Sequence, residues 1–406
     1  MTATAGNYSP PASGQDSRAV PFWRQLGPIS LLVLLFLLNF LSRIILSPLL
    51  PTVETELRIS HSQAGFLFFL ISAGYLIGLL GSGFVVSRCT HRQVITVSAA
   101  GVGIALVGVA LSGTFWAVGA GLMSLGIAAG FYLPSALATI TALTDQQHWG
   151  KAIAVHELAP NFAFFLGPFV AELFLRWSTW RMAVMVLGAL SLLSGLGYRR
   201  WGRGGDFTGA SPTSKEFRAL IRSAALWGMI ALFGLGVSAT IGVYAMLPLY
   251  LVSERHMDQS WSNTVIALSR SYGPLLGLTG GWVSDRLGPK QTMVVSLIFT
   301  GIVTLLLGIM PGRWLDGAVF FQPLLAVWFF PAVFAALAVI TPAAARHLAV
   351  ALTVPFGSVI GAGAIPTLIG IAGDAGSFAL GFVFAGGLIM CGGLFALLIK
   401  LPEAKR

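Results

Sequence analysis

The sequence predicts an all-α polytopic membrane protein of twelve transmembrane helices, and three observations carry that prediction. Hydrophobic residues make up 56% of the 406-residue chain and charged ones only 9%, too few to cover a water-soluble surface of this size. Apolar runs of about 20 residues recur from one end to the other, each long enough to cross a hydrocarbon core of about 30 Å as a helix. Lys and Arg are not gathered on one face, as nucleic acid would require, but sit between the apolar runs. The formal charge of +10 is therefore a topology signal, and lipid is the solvent for most of the chain.

Residues 1–20 are polar and rich in Ser, Pro, Ala and Gly, and they precede a full-length span. A disordered cytoplasmic tail is expected there, in place of a cleavable signal peptide. Apolar runs set against polar breaks place the spans at about 27–50, 62–86, 94–112, 115–142, 150–175 and 181–199, then 222–251, 263–284, 292–311, 317–342, 348–372 and 378–400. The longest polar gap, RRWGRGGDFTGASPTSK from Arg199, separates six spans from six, and its Gly, Ser and Pro content predicts a flexible link. The chain thus divides into the tail, an N-terminal half at 21–199, a central cytoplasmic loop at 200–221 and a C-terminal half at 222–406.

With the amino terminus inside, the basic residues near span ends divide about 17 against 5 in favour of the inner side. Arg58, Arg176, Arg181, Arg255 and Arg313 are the outer five. Both termini are therefore expected in the cytoplasm, with the protein multi-pass in the inner membrane. Cys89 lies in a short basic loop and Cys391 inside the last apolar run, so neither is placed for an extracellular disulfide.

An internal repeat sharpens the architecture. GFVVSRCTHR, from Gly83 to Arg92, aligns with GWVSDRLGPK, from Gly281 to Lys290, at an offset of 198 residues, and the same offset carries Pro168 onto Pro366. Two halves of equal span number imply a duplicated, pseudo-symmetric pair of six-helix bundles. The pattern G-x-x-x-D-R-x-G-x-K after the eighth span resembles the signature loop of the major facilitator superfamily, with a weaker copy after the second span. The resemblance implies a conformational clamp made by Asp285, Arg286 and Lys290, with Arg88 and Arg92 in the first copy. That copy departs from the pattern, with Ser87 in place of Asp and Thr90 in place of Gly, so its clamp is expected to be weaker.

Charges inside spans are costly, about 2.5–3.5 kcal/mol for a mid-helix Arg even on lenient scales, which marks each as a functional candidate. Arg43 lies in the first span with Asn39 and Ser47 at a spacing of four, on one helical stripe. Its alternative role is to snorkel to the outer interface. Arg270, in the eighth span, lies near the midplane, where snorkelling is hardest. Asn263, two turns outward, reads as interfacial. In the fifth span Glu157 and Asn161 share a face, His156 is adjacent, and Pro160 loosens the helix. A carboxylate beside a His suits proton coupling, and an internal ion pair is the structural alternative. Tyr75, Tyr132, Tyr244, Tyr272 and Gln322 lie in or beside spans, where hydroxyl and amide groups must find partners away from water.

Two intramembrane arginines against only one well-buried carboxylate, Glu157, predict a positive cavity suited to a small organic anion, held by bidentate guanidinium contacts. Arg43 ahead of Ser47, Pro48 and Pro51 also resembles the organic-anion branches of the superfamily, the anion:cation symporters and monocarboxylate-type carriers. There an Arg of the first or eighth span holds the substrate carboxylate. The resemblance implies alternating access with proton symport, Arg43 and Arg270 clamping the anion and Glu157 exchanging the proton. Proton-coupled drug or metabolite efflux is the alternative, with the arginines as counter-charges to Glu157. An enzyme is not expected, since no HExxH, paired Cys/His or Gly-rich nucleotide loop is present. The expected partners are a small anion, protons and the bilayer, with no cofactor, no metal and no nucleic acid, for a monomeric protein.

Overall fold

The computed structural model describes residues 22–209, 221–341 and 346–399, without the side chains of Arg24, Gln25 and His347. The tail and the middle of the central loop, including Lys215, lie outside the described residues, as do Lys400, Lys405 and Arg406.

Eleven helices among the described residues are long and apolar enough to cross a membrane, and one further crossing is interrupted. The N-terminal half holds α1 (Leu26–Leu57), α2 (His61–Val86), α3 (His91–Leu111), α4 (Phe115–Leu143), α5 (Gln146–Trp177) and α6 (Trp180–Trp201). The C-terminal half holds α7 (Ala224–Ser253), the interrupted α8 (Gln259–Arg270 and Gly273–Leu287), α9 (Pro289–Ile309), α10 (Arg313–Ile340), α11 (Leu348–Asp374) and α12 (Phe378–Leu398). The first crossing runs past residue 50, its second segment holding Pro48 and Pro51 and ending at Leu57.

Four crossings break three residues ahead of a proline. The breaks fall at Ile45 before Pro48, Phe131 before Pro134, Glu157 before Pro160, and Ser271 before Pro274. A proline lacks the N–H for the i−4 carbonyl and its ring crowds that carbonyl, so the helix opens there. The carbonyls released belong to Ile44, Gly130, His156 and Arg270, and three of those four positions adjoin the charged candidates. Two π segments, Ser238–Gly242 in α7 and Val359–Ala364 in α11, face each other, and Gly242 and Gly361 allow the contact.

The halves meet most closely at the end bearing the α1–α2 and α11–α12 turns, called the outer end from the charge asymmetry. Asp374 of α11 accepts the main-chain N–H groups of His61 (2.8 Å) and Ser62 (3.0 Å) at the start of α2. Gln259 of α8 donates to the Pro48 carbonyl of α1 at 3.3 Å. At the opposite end the two signature loops are closed by different devices. Gly288 joins α8 to α9 at φ +87, a left-handed conformation that favours glycine. Thr90 instead caps α3 with a Thr–Gln93 capping box, at an ordinary φ of −70. The departure at Thr90 is therefore a change of cap.

The central loop corrects the expectation of a flexible link from Arg199 onward. Helix α6 runs to Trp201, and the next residues dock on the α2–α3 loop. Thr208 pairs with Thr90, and the N–H groups of His91, Arg92 and Gly209 donate to Phe207 (3.0 Å), Gly205 (2.9 Å) and Val86 (2.8 Å).

Candidate functional site

The two intramembrane arginines come from opposite halves and share one environment. Arg43 ends the first segment of α1, its guanidinium over the rings of Phe40 (4.8 Å) and Tyr75 (4.3 Å). Arg270 ends the first segment of α8, over Phe164 (4.9 Å) and Tyr244 (5.2 Å). Each cation thus rests on one Phe and one Tyr, and Phe40 meets Phe164 edge-on at 5.2 Å. Neither arginine makes an ion pair among the described residues. The buried Nε atoms of both, and the Tyr244 hydroxyl beside Arg270, have no hydrogen-bond partner there. A desolvated cation without a counter-charge costs several kcal/mol, which makes this cluster the candidate site.

Ring quadrupoles of Phe40, Tyr75, Phe164 and Tyr244 offset part of that cost. A cavity of ≈ 30 Å³ adjoins Arg43, Phe40, Phe68, Tyr75, Ile241 and Ser358. Such a space holds about two waters.

The fifth-span candidates separate into a buried and an exposed member. His156 is fully buried, its ring stacked on Phe36 at 4.3 Å and 4°. Its Nε2 lies 3.2 Å from the Tyr132 hydroxyl and its Nδ1 lies 3.4 Å from Glu157 Oε1. The Glu157 side chain is 49% exposed, which corrects the expectation of a well-buried carboxylate. The reason is the Pro160 break, which places Glu157 at the hinge between two helical segments. Asn161 donates to the Glu157 carbonyl at 3.3 Å and lies against Gly273 and Gly277 of α8, at the boundary between halves.

Several predicted ligands are instead held by main-chain groups. Asn39 donates to the Ala129 carbonyl of α4 (3.2 Å), and Ser47 to the Tyr244 carbonyl of α7 (2.6 Å). The stripe of Asn39, Arg43 and Ser47 therefore does not face one cavity. Tyr132 donates to the Leu32 carbonyl (2.5 Å) and Tyr272 to the Phe320 carbonyl (2.5 Å). Gln322 donates to the carbonyl of Ala239, in the α7 π segment, at 2.7 Å. The expected clamp is also unmade among the described residues. Asp285, Arg286 and Arg88 are exposed, Lys290 is half-buried, and Arg286 lies over its neighbour Trp282 at 5.1 Å. Arg92 turns to the linker, bonding Asp206 (3.3 Å) and the Gly202 carbonyl (2.7 Å).

Sequence reasoning passed over Phe36, Phe40 and Phe164, since a phenyl ring inside a span has the same signature whether it packs or cradles a cation. It also set Asn263 at the interface, whereas this residue is buried and both its amide atoms lack a partner among the described residues.

Residues 32–278 match the profile of the Major Facilitator Superfamily. The chain belongs to that superfamily. This facilitator is a membrane transporter and not an enzyme, built as two six-helix bundles. It is 23% identical to the probable sulfoacetate transporter SauU of Cupriavidus necator, over 92% of this chain and 93% of that one. It is 23% identical to the probable nitrate/nitrite transporter NarK2 of Mycobacterium tuberculosis, over 67% and 70%. Among solved structures, the inward-facing, unoccupied bacterial homologue of the human lysosomal transporter Spinster superposes with a TM-score of 0.73. That pair is 13% identical over 94% of this chain and 96% of the other, a likeness of fold alone.

Proposed function

We propose that this facilitator moves a small organic anion across the inner membrane by alternating access, driven by protons, with Arg43 and Arg270 receiving the anion. The observation that carries the reading is the pair of unpaired guanidiniums, one from each half, separated by the Phe40–Phe164 contact. An anion between them supplies the missing counter-charge to both halves at once, so its binding favours their closure. The relatives named for sulfoacetate and for nitrate or nitrite are in keeping with an anionic substrate. Proton exchange is assigned to Glu157, and its half-exposed side chain at the hinge supports that assignment. In the efflux alternative the arginines neutralise Glu157, yet Glu157 pairs with His156. Both termini are proposed to be cytoplasmic, and the clamp residues Asp285, Arg286 and Lys290 to engage in the opposite conformation.

Purified protein in proteoliposomes provides the test, with sulfoacetate, nitrate and short mono- and dicarboxylates offered as labelled substrates. An acid-outside gradient is expected to drive saturable uptake of at least one of them. Exchange of an organic cation for protons, with no anion transported, would overturn the reading.

A further inference from the structure

The surroundings of His156 fix where its protons lie. The Leu32 carbonyl can only accept, so the Tyr132 hydroxyl hydrogen is committed to it at 2.5 Å. The Tyr132 oxygen must then act as acceptor toward Nε2 at 3.2 Å, which places a hydrogen on Nε2 of the imidazole. In the neutral ring Nδ1 is left with a lone pair, and it faces Glu157 Oε1 at 3.4 Å. An ionised carboxylate also offers only lone pairs. The contact becomes a hydrogen bond when one proton lies between the two atoms, and a repulsion when none does.

We propose that His156 and Glu157 together hold one exchangeable proton between Nδ1 and Oε1, and that Tyr132 is the positioning residue that leaves Nδ1 free to take it. The proposal rests on the proton-coupled reading above and assigns its proton site. Glu157 is the exposed end of the pair and His156 the buried end. A proton taken from water by the carboxylate passes to Nδ1, giving carboxylate and imidazolium, and it leaves by the reverse step. The imidazolium then lies on the face of Phe36, which offsets part of its desolvation.

The other groups around the pair are accounted for. Helix α1 presents the Phe36 ring and the Leu32 carbonyl, and α4 presents Tyr132, with Tyr198 of α6 behind it. His148 lies on Phe22, Lys151 is exposed, and Tyr75 is within electrostatic reach of Glu157. The pair is also tied to the anion site, because Phe36 touches Phe40 at 6.4 Å and Phe40 supports Arg43.

The test is nitrogen NMR of histidine-labelled, full-length protein in lipid nanodiscs between about pH 5 and 8, the range in which imidazoles titrate. The His156 signal is identified by its loss in His156→Gln. Should that variant not fold, the shift caused by losing the ring current in Phe36→Leu identifies it. The neutral wild-type ring is expected to carry its hydrogen on Nε2 and to gain a second on Nδ1 as pH falls. In Glu157→Gln no negative charge remains to hold a proton on Nδ1, so the second hydrogen is expected to appear only at a lower pH than in the wild type. Tyr132→Phe removes the acceptor for Nε2–H and is expected to move hydrogen of the neutral ring onto Nδ1, in part or wholly. A hydrogen on Nδ1 in the neutral wild type, wild-type titration in Glu157→Gln, or a neutral ring with its hydrogen still wholly on Nε2 in Tyr132→Phe would each overturn the proposal. No substrate is needed for this readout, so its failure leaves anion recognition standing, and absent anion flux leaves the proton site standing.

Discussion

Phe40 and Phe164 meet edge-on at 5.2 Å, and each supports the guanidinium of an arginine, Arg43 for the first and Arg270 for the second. The aromatic pair therefore keeps two unpaired cations apart while lending each a π face. An anion that replaces this partition exchanges a weak quadrupole attraction for charge-assisted hydrogen bonds, roughly 0.5–2 kcal/mol for 1.5–3 kcal/mol per contact. On the proposed reading, substrate affinity and the joining of the halves are two aspects of one event.

Closure at the outer end depends on a cap shared between halves. Asp374 of α11 accepts the N–H groups of His61 and Ser62 at the start of α2. Ser60 is the N-cap of α2, and Asp374 satisfies two further first-turn N–H groups; losing an acceptor of this kind costs about 0.5–2 kcal/mol. Asp374→Ala is therefore expected to shift the conformational balance roughly two- to thirtyfold toward the outer-open state. Spin labels on Arg58→Cys and Ala375→Cys, with Cys89 and Cys391 replaced, read that change as a longer distance. An unchanged distance distribution would remove Asp374 from the gate.

Packing within the N-terminal half makes a stability prediction. A methyl group at Gly78 of α2 would run into the Ile127 carbonyl of α4, whereas at Gly108 nothing lies within 4 Å. Overpacking of this kind costs about 1–3 kcal/mol. Gly78→Ala is expected to lower the thermal midpoint in detergent by several degrees, and Gly108→Ala to leave it in place. Equal midpoints would mean that α2 and α4 are free to separate.

Glu157→Gln tests coupling apart from folding. The side chain is half-exposed and the amide keeps its shape, so the thermal midpoint should stay near that of the wild type. Proton-driven accumulation is expected to be lost, while exchange of anion for anion continues, because exchange moves no net proton. Accumulation at the wild-type level would make Glu157 a structural residue.

The fold was legible because lipid allows few alternatives. Uninterrupted apolar runs must be helices, and the matched loops at Gly83 and Gly281 expose the duplication. The arginines were legible for the same reason, since a charge in an apolar run is costly enough to need a purpose. Polar neutral residues were not. Asn39, Tyr272 and Gln322 look like ligands in the sequence, but each is satisfied by a carbonyl of another helix. Burial was also hidden, because Glu157 and His156 are adjacent and a helix points them about 100° apart, one into the protein and the other out of it. Pro160 was read as loosening the helix beside Glu157, but the same signal at Pro48 and Pro274, three residues beyond the breaks at Ile45 and Ser271, went unused.

Arg270→Lys carries the anion reading. The substitution keeps the positive charge, so an electrostatic role of any geometry would survive it. A planar guanidinium stacked on Phe164 and Tyr244 presents two parallel donors in a fixed plane, whereas an ammonium is a compact point charge on a shorter reach. Lys also loses the flat face that rests on the two rings. Loss of a charge-assisted contact of about 1.5–3 kcal/mol is expected to weaken anion binding roughly tenfold to more than a hundredfold. Arg43→Lys is expected to be milder, because Arg43 adjoins a cavity with room for water that can bridge to the shorter side chain. Calorimetry of both variants beside the wild type, with the anion best transported in the vesicle screen, reads the difference directly. Unchanged affinity in Arg270→Lys would take Arg270 out of the site and leave the two unpaired cations without a common ligand.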